Sequence, residues 1–137
     1  MKNLRDWLAW AKEKNVAIGH FNVSDSEGFK AVVAAANELG VPVIIGVSEG
    51  ERSFLGVAEI RALVSVEQGK GLPVFLNADH TYSIPASMEA IDQKFDALII
   101  DGANHCRRCG EVRRSDRRRP LCALRREYPW IDQDRRT

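Results

Sequence analysis

The pair of residues best suited to chemistry is Asp79-His80, which follows a short apolar run. A carboxylate can take up or release a proton, and a neutral imidazole is a common ligand for a divalent metal ion. At the end of a strand, where the chain turns, both side chains can face one pocket. The pair therefore suits proton transfer beside an oxygen that a metal ion polarises. The structural alternative is an aspartate that caps the next helix and a histidine bonded to a loop carbonyl.

Three more polar residues end short apolar runs: Asn22, Ser48 and Asp101. The first two also have structural alternatives: Asn22 could be a turn residue at a helix entry, and the hydroxyl of Ser48 could close a loop. Asp101 is harder to explain by packing because an unpaired buried carboxylate is costly. His20 lies inside an apolar run, and we interpret it as an interior or bonded histidine rather than a metal ligand.

These polar residues follow four apolar segments that alternate with helical patterns. A first helix is expected over residues 3–14, and Ser24 and Ser83 resemble caps of later helices. Strands that are apolar on both faces and alternate with helices indicate parallel strands joined by helical crossovers. The four strands are predicted in residues 16–22, 42–48, 73–79 and 97–101. The sequence therefore predicts an α/β protein.

Two architectures fit this alternation: an open doubly wound sheet and a (β/α)8 TIM barrel. The open nucleotide-binding sheet usually has a G-x-G-x-x-G loop after its first strand, and residues 22–26 do not have one. In a barrel the strand ends converge on one face, which is where barrel active sites lie. We favour a partial barrel of about four βα units, which is half of a barrel of roughly 250 residues.

The sequence changes character after Asn104. Residues 1–104 hold nine basic and 14 acidic side chains. Residues 105–137 hold 11 basic side chains, all of them arginine, and five acidic ones, together with all three cysteines. His105, Cys106, Cys109 and Cys122 superficially resemble a zinc knuckle, and the arginine clusters could bind nucleic acid. We favour a disordered or frame-shifted Arg/Cys-rich tail, with residues 1–104 as the domain to interpret.

Composition limits the location of the protein. No apolar stretch approaches the roughly 20 residues that span a bilayer, so we expect no membrane partner. Charged residues occupy the N-terminal segment where a secretory signal has its apolar core. A cytoplasmic location is the expectation.

Four segments resemble the class II, metal-dependent fructose-bisphosphate aldolases, and they occur in the order of that family. The resemblance covers residues 1 to about 104. It rests on the strand-end segments 17–23, AIGHFNV; 47–52, VSEGER; 76–81, LNADHT; and 95–102, FDALIIDG.

The resemblance implies a barrel enzyme that reversibly cleaves fructose 1,6-bisphosphate to dihydroxyacetone phosphate and glyceraldehyde 3-phosphate, with zinc stabilising the enediolate. It makes Asp79 the proton-transfer residue and His80 the first zinc ligand. It places Asn22 and Ser48 at positions that contact the substrate. Asp101 matches a carboxylate that can hold a second cation.

The resemblance also leaves alternatives open. Only His80 matches the family's zinc ligands, so we expect activity to be impaired in this chain. A tagatose-bisphosphate aldolase is the sister interpretation, and a non-catalytic half-barrel, whose exposed edges must pair with another half, is the second. The partners implied are a sugar bisphosphate and, as in the family, further copies of the chain.

Overall fold

A computed structural model describes residues 2–101, in which helices and strands alternate as predicted. The helices are α1 (Leu4–Lys14), α2 (Ser26–Leu39), α3 (Glu49–Leu55), α4 (Val57–Gly69) and α5 (Ile84–Asp92). The strands are β1 (Gly19–Asn22), β2 (Val43–Val47), β3 (Val74–Thr81) and β4 (Ala97–Ile100). The cysteines and arginine clusters of the predicted tail, residues 105–137, lie outside the described residues.

The four strands form one parallel sheet in the order β1-β2-β3-β4. Each strand therefore lies beside the strand that precedes it in the chain. A doubly wound sheet reverses its strand order at a switch point, whereas a barrel adds each strand beside the last. The sequential order thus favours the barrel over the open sheet.

One face of the sheet forms the apolar core with the helices. Side chains alternate between the two faces of a strand, and the helix-facing residues of β2 and β3 are almost completely buried. Helix α2 contacts β2, while α4 and α5 contact β3. The central residues of this core are Val33, Val43, Ile45, Val47, Ile60, Val64, Val74 and Leu76.

The opposite face of the sheet carries two rows of side chains across three strands. In the lower row, His20, Ile44 and Phe75 are register neighbours. In the upper row, nearer the carboxyl ends, Asn22 pairs with Gly46 and Gly46 with Asn77. This upper row, which we call the polar row, lies directly beneath the end of β3.

The helix starts follow the chemistry of their caps, with two differences from the sequence prediction. Ser83 caps α5 as expected, and Asn3 caps α1. Helix α2 is capped by Asp25 and not by Ser24, because the Asp25 carboxylate reaches the amide of Gly28 at 2.7 Å. The short helix α3 was not predicted, although Ser48 and the glutamate three residues later form a capping box at its start.

The core makes a direct prediction about stability. Ile45 is completely buried in the apolar core, so Ile45→Ala should lower the free energy of unfolding by about 2–5 kcal/mol through lost burial and a residual cavity. Val66, on α4, is 57% exposed, and Val66→Ala is the matched control, with an expected change within about 0.5 kcal/mol. Urea unfolding followed by circular dichroism measures both, and equal costs would contradict the assigned core.

Candidate active site

The end of β3 departs from a regular strand where Asp79 and His80 lie. Ala78 pairs with Leu98 and Thr81 with Ile100, so β3 spends three steps where β4 spends two. One extra residue on one strand is a β-bulge, which re-aims the neighbouring side chains. His80 has a φ of 99°, in the left-handed region that residues with a side chain rarely adopt. The bulge therefore lets the side chains of Asp79 and His80, which are adjacent in the chain, approach each other.

Asp79 lies between Asn22 and His80. The Asn22 side-chain amide donates a hydrogen bond from Nδ2 to Asp79 Oδ2 at 2.8 Å. The other oxygen, Oδ1, lies 3.6 Å from His80 Nε2. One carboxylate oxygen is thus fixed by an amide while the other is directed toward the imidazole, an arrangement that orients Asp79 for proton transfer.

His80 is accessible at this position, with its side chain 50% exposed while that of Asp79 is only 13% exposed. A neutral, accessible imidazole nitrogen is a common zinc ligand. A catalytic zinc takes three protein ligands, and residues 2–101 contain no group of three His, Cys, Asp or Glu side chains placed to hold a metal ion. His80 fits as one ligand, but the described residues do not complete a zinc site.

The polar row supports Asp79 from below. Asn77 is buried, and its amide Nδ2 lies 3.0 Å from His20 Nε2. This distance is that of a hydrogen bond between the two side chains. His20 is therefore a bonded histidine, as expected. The side-chain oxygen Oδ1 of Asn77, by contrast, is buried and has no hydrogen-bond partner among the described residues.

Gly46 leaves the space that these side chains occupy. A Cβ atom at this position would lie 2.3 Å from Asn22 Oδ1 and 2.6 Å from the Cε1 atom of His20. Real Cβ atoms do not approach other atoms so closely. Glycine at the centre of the polar row is therefore a condition for the observed placement of Asn22 and His20.

Ser48 lies at the end of β2, where it caps α3. Its Oγ accepts a hydrogen bond from the amide of Glu51 at 3.3 Å, and its own amide donates to Glu51 Oε2 at 2.6 Å. Ser48 thus has a structural role, but it caps a helix and is not the loop-closing hydroxyl considered from the sequence. Because the hydroxyl proton can still be donated, the predicted substrate contact of Ser48 stays a prediction.

Arg52 is a residue of the site to which the sequence prediction gave no role. It is only 2% exposed, and its Nη1 donates to Val47 O at 2.6 Å and to Asp79 O at 3.1 Å. Nη2 donates to Thr81 Oγ1 at 2.8 Å. Burial lowers the pKa of Arg52 from its ordinary value, opposed by the nearby carboxylates, of which Glu49 acts most strongly. The signal in the sequence was the Ser48 capping box, which starts a helix and places Arg52 on its first turn.

Asp101 directly follows β4 and is half-buried. It lies just outside the compact unit that residues 1–100 form. Its predicted role as a ligand of a second cation stays a prediction. Among the described residues, no helix is long and apolar enough to cross a membrane.

Comparison with known proteins identifies the relatives of this sequence. Residues 2–108 match the family model described as fructose-bisphosphate aldolase class-II. A Bacillus subtilis protein named "Probable fructose-bisphosphate aldolase" is 36% identical over 108 residues, which are 75% of this chain and 38% of that protein. A Bacillus licheniformis 6-phospho-5-dehydro-2-deoxy-D-gluconate aldolase is 34% identical over 106 residues, 74% of this chain and 36% of that protein. The chain thus spans less than two-fifths of the length of these relatives.

Solved structures show the same relationship. The YdjI aldolase of Escherichia coli K12 matches 71% of this chain and 38% of its own, with a TM-score of 0.63 and 31% identity. Fructose-bisphosphate aldolase from Campylobacter jejuni matches 72% of this chain and 36% of its own, with a TM-score of 0.63 and 26% identity. The predicted α/β class and partial barrel are confirmed.

The geometry around Gly46 predicts a local effect of substitution. Gly46→Ala should displace Asn22 and His20 and lengthen the hydrogen bond to Asp79, at a cost of about 1–3 kcal/mol in stability from overpacking. The side-chain amide signals of Asn22 in ¹H–¹⁵N spectra report the displacement. Gly50→Ala is the control, because a Cβ atom there meets open space. Unchanged Asn22 amide signals in Gly46→Ala would contradict the proposed packing.

Proposed function

Because the chain belongs to the family of class-II fructose-bisphosphate aldolases, we propose that it carries the proton-transfer residues of an aldol-cleavage site. The observation behind the proposal is the fixed carboxylate of Asp79. Asn22 holds one of its oxygens at 2.8 Å, and the other faces His80. A carboxylate that is oriented by a neutral donor and partly shielded from water is suited to exchanging a proton with one fixed position on a substrate.

The proposed reaction is the reversible cleavage of fructose 1,6-bisphosphate into dihydroxyacetone phosphate and glyceraldehyde 3-phosphate. Breaking the bond between C3 and C4 of the open-chain ketose requires that the C4 hydroxyl lose its proton, while the bonding electron pair stays on C3. Asp79 Oδ1 accepts that proton in cleavage and returns it in the reverse reaction. Asn22 keeps Asp79 in place during both transfers.

Phosphorylated sugars are the proposed substrate class. Relatives named for fructose bisphosphate and for 6-phospho-5-dehydro-2-deoxy-D-gluconate are of similar identity to this chain. The residues described here therefore do not discriminate among the sugars, and tagatose 1,6-bisphosphate belongs in any substrate panel. The common element is a phosphorylated carbon chain whose cleaved bond lies next to a hydroxyl group.

Zinc is the proposed metal, and His80 is the proposed first ligand. When bound, the ion would stabilise the negative charge that develops on the ketose fragment. Asp101 is proposed as a ligand of a second, weaker cation. Since the described residues supply an incomplete ligand set, the proton transfer by Asp79 is the step assigned to this chain.

Metal binding should single out His80. We expect added Zn²⁺ to shift the ring signals of His80 in NMR spectra and to leave those of His20 in place, because Nε2 of His20 already contacts Asn77. Binding should be far weaker than at a complete three-ligand site. His80→Ala should abolish the shifts at the neighbouring amides. Equal shifts of both rings, or no shift of His80 at millimolar Zn²⁺, would count against His80 as a ligand.

Turnover by the 137-residue chain should be little or none, because residues 2–101 do not complete a zinc site. A coupled assay of fructose 1,6-bisphosphate cleavage with added Zn²⁺ measures this directly. The comparison variants are His80→Ala, which loses the proposed ligand, and Asp79→Asn, which loses the proton acceptor but retains its size. A chelator-sensitive rate well above that of both variants would overturn the expectation of impaired activity and support the proposed reaction.

A further inference from the structure

The backbone of His80 is held in an unfavourable conformation. Its φ of 99° places the Cβ atom too close to neighbouring backbone atoms, a problem that only glycine avoids. Such a conformation persists only where the surrounding structure imposes it. The pairing of β3 with β4 is irregular between Ala78 and Thr81, and a bulge of this kind can itself carry a residue with a positive φ. Contacts from outside the strand can then fix the bulged segment.

Arg52 contacts the chain on both sides of His80. Its Nη1 binds the carbonyl oxygen of Asp79, which precedes His80, at 3.1 Å. Its Nη2 binds the hydroxyl of Thr81, which follows His80, at 2.8 Å. The two nitrogens of one rigid, planar guanidinium group therefore fix the two neighbours of the strained residue.

The guanidinium group is itself anchored to the rest of the sheet. Nη1 also binds the carbonyl oxygen of Val47, the last residue of β2, at 2.6 Å. Helix α3 provides a second contact, since Glu49 Oε2 accepts a hydrogen bond from the amide of Tyr82 at 2.7 Å. The segment 79–82 is thus held by two side chains from the first turn of one short helix.

The burial of Arg52 fits a residue that is needed at this place. Taking a charged group out of water is costly unless hydrogen bonds compensate it. Arg52 is 2% exposed and faces three oxygen acceptors, and the carboxylates of Glu49, Glu89, Asp79 and Glu51 act on its charge. Hydrogen bonds to charged donors are about twice as strong as neutral ones, so this group can impose a local conformation.

We propose that Arg52 is a positioning residue that holds His80 in its left-handed conformation and thereby directs the side chains of Asp79 and His80 toward each other. The role of that pair rests on the proposed function, whereas the conformational effect of Arg52 does not. Arg52 contacts the backbone and Thr81 and is assigned no contact with substrate. A simpler role, tying β2 to β3 for stability alone, leaves the conformation of His80 indifferent to Arg52.

The direct test is the φ angle of residue 80. The three-bond coupling between the amide proton and Hα depends on φ, and NMR measures it in the intact chain. We expect the wild type to give the small value of a left-handed residue and Arg52→Lys to give a larger value, since a single ammonium group cannot reproduce the planar fork. Arg61→Lys is the matched control, because Arg61 also bonds a strand-side acceptor, the Asp96 carboxylate at 3.3 Å, away from His80.

A second measurement compares glycine and alanine at position 80. Glycine relieves the strain of a left-handed φ but costs chain entropy in a regular strand. With Arg52 present, His80→Gly should unfold at a higher urea concentration than His80→Ala. In the Arg52→Lys background the order should reverse, and in the Arg61→Lys background it should not.

A milder variant covers the case in which Arg52→Lys does not fold. Thr81→Val removes one of the three acceptors of Arg52 while Arg52 keeps its charge. The difference in unfolding urea concentration between His80→Gly and His80→Ala should therefore shrink. The proposal is overturned if the coupling of residue 80 is the same in wild type and Arg52→Lys, or if the order of the two position-80 variants is the same in these two backgrounds. Where Arg52→Lys does not fold, it is overturned if Thr81→Val leaves the advantage of glycine over alanine unchanged. Neither measurement involves zinc or a sugar, so failure of the aldolase proposal would appear separately, in the Zn²⁺ titration.

Discussion

The parallel register of the first three strands is the constraint on which the site depends. Neighbouring parallel strands place register partners on the same face of the sheet, so Asn22, Gly46 and Asn77 form one row. The face opposite the apolar core thus acquires polar groups directly below Asp79. A shift of β1 by one residue would turn Asn22 into the helix layer and remove the donor that holds Asp79.

Local signals were sufficient to predict the frame of the molecule. Apolar runs separated by helical periodicity located the four strands, and the residue that ends each run was named as a candidate. Three candidates from distant parts of the sequence, Asn22, Asp79 and His80, do lie together. The prediction succeeded because parallel strands deliver their carboxyl ends to one edge, whatever the details of their side chains.

Tertiary contacts decided what the sequence could not predict. The bulge at His80 arises from the pairing of two strands, and no sequence pattern within β3 indicates it. Arg52 lies on a helix too short to give a periodic signal, and its role depends on acceptors 27 and 29 positions further along the chain. Ser48 shows a different difficulty, since one hydroxyl can cap a helix and still reach a ligand. Local propensity cannot choose between uses that are compatible.

The glycine at the centre of the polar row makes substitutions at the neighbouring positions 20 and 22 depend on it. Because a Cβ atom at Gly46 would collide with both Asn22 and His20, substitutions at these three positions do not act independently. A side chain at position 46 requires Asn22 and His20 to move or to be replaced by smaller residues, so the effect of a substitution at any one of these positions depends on the residues at the other two.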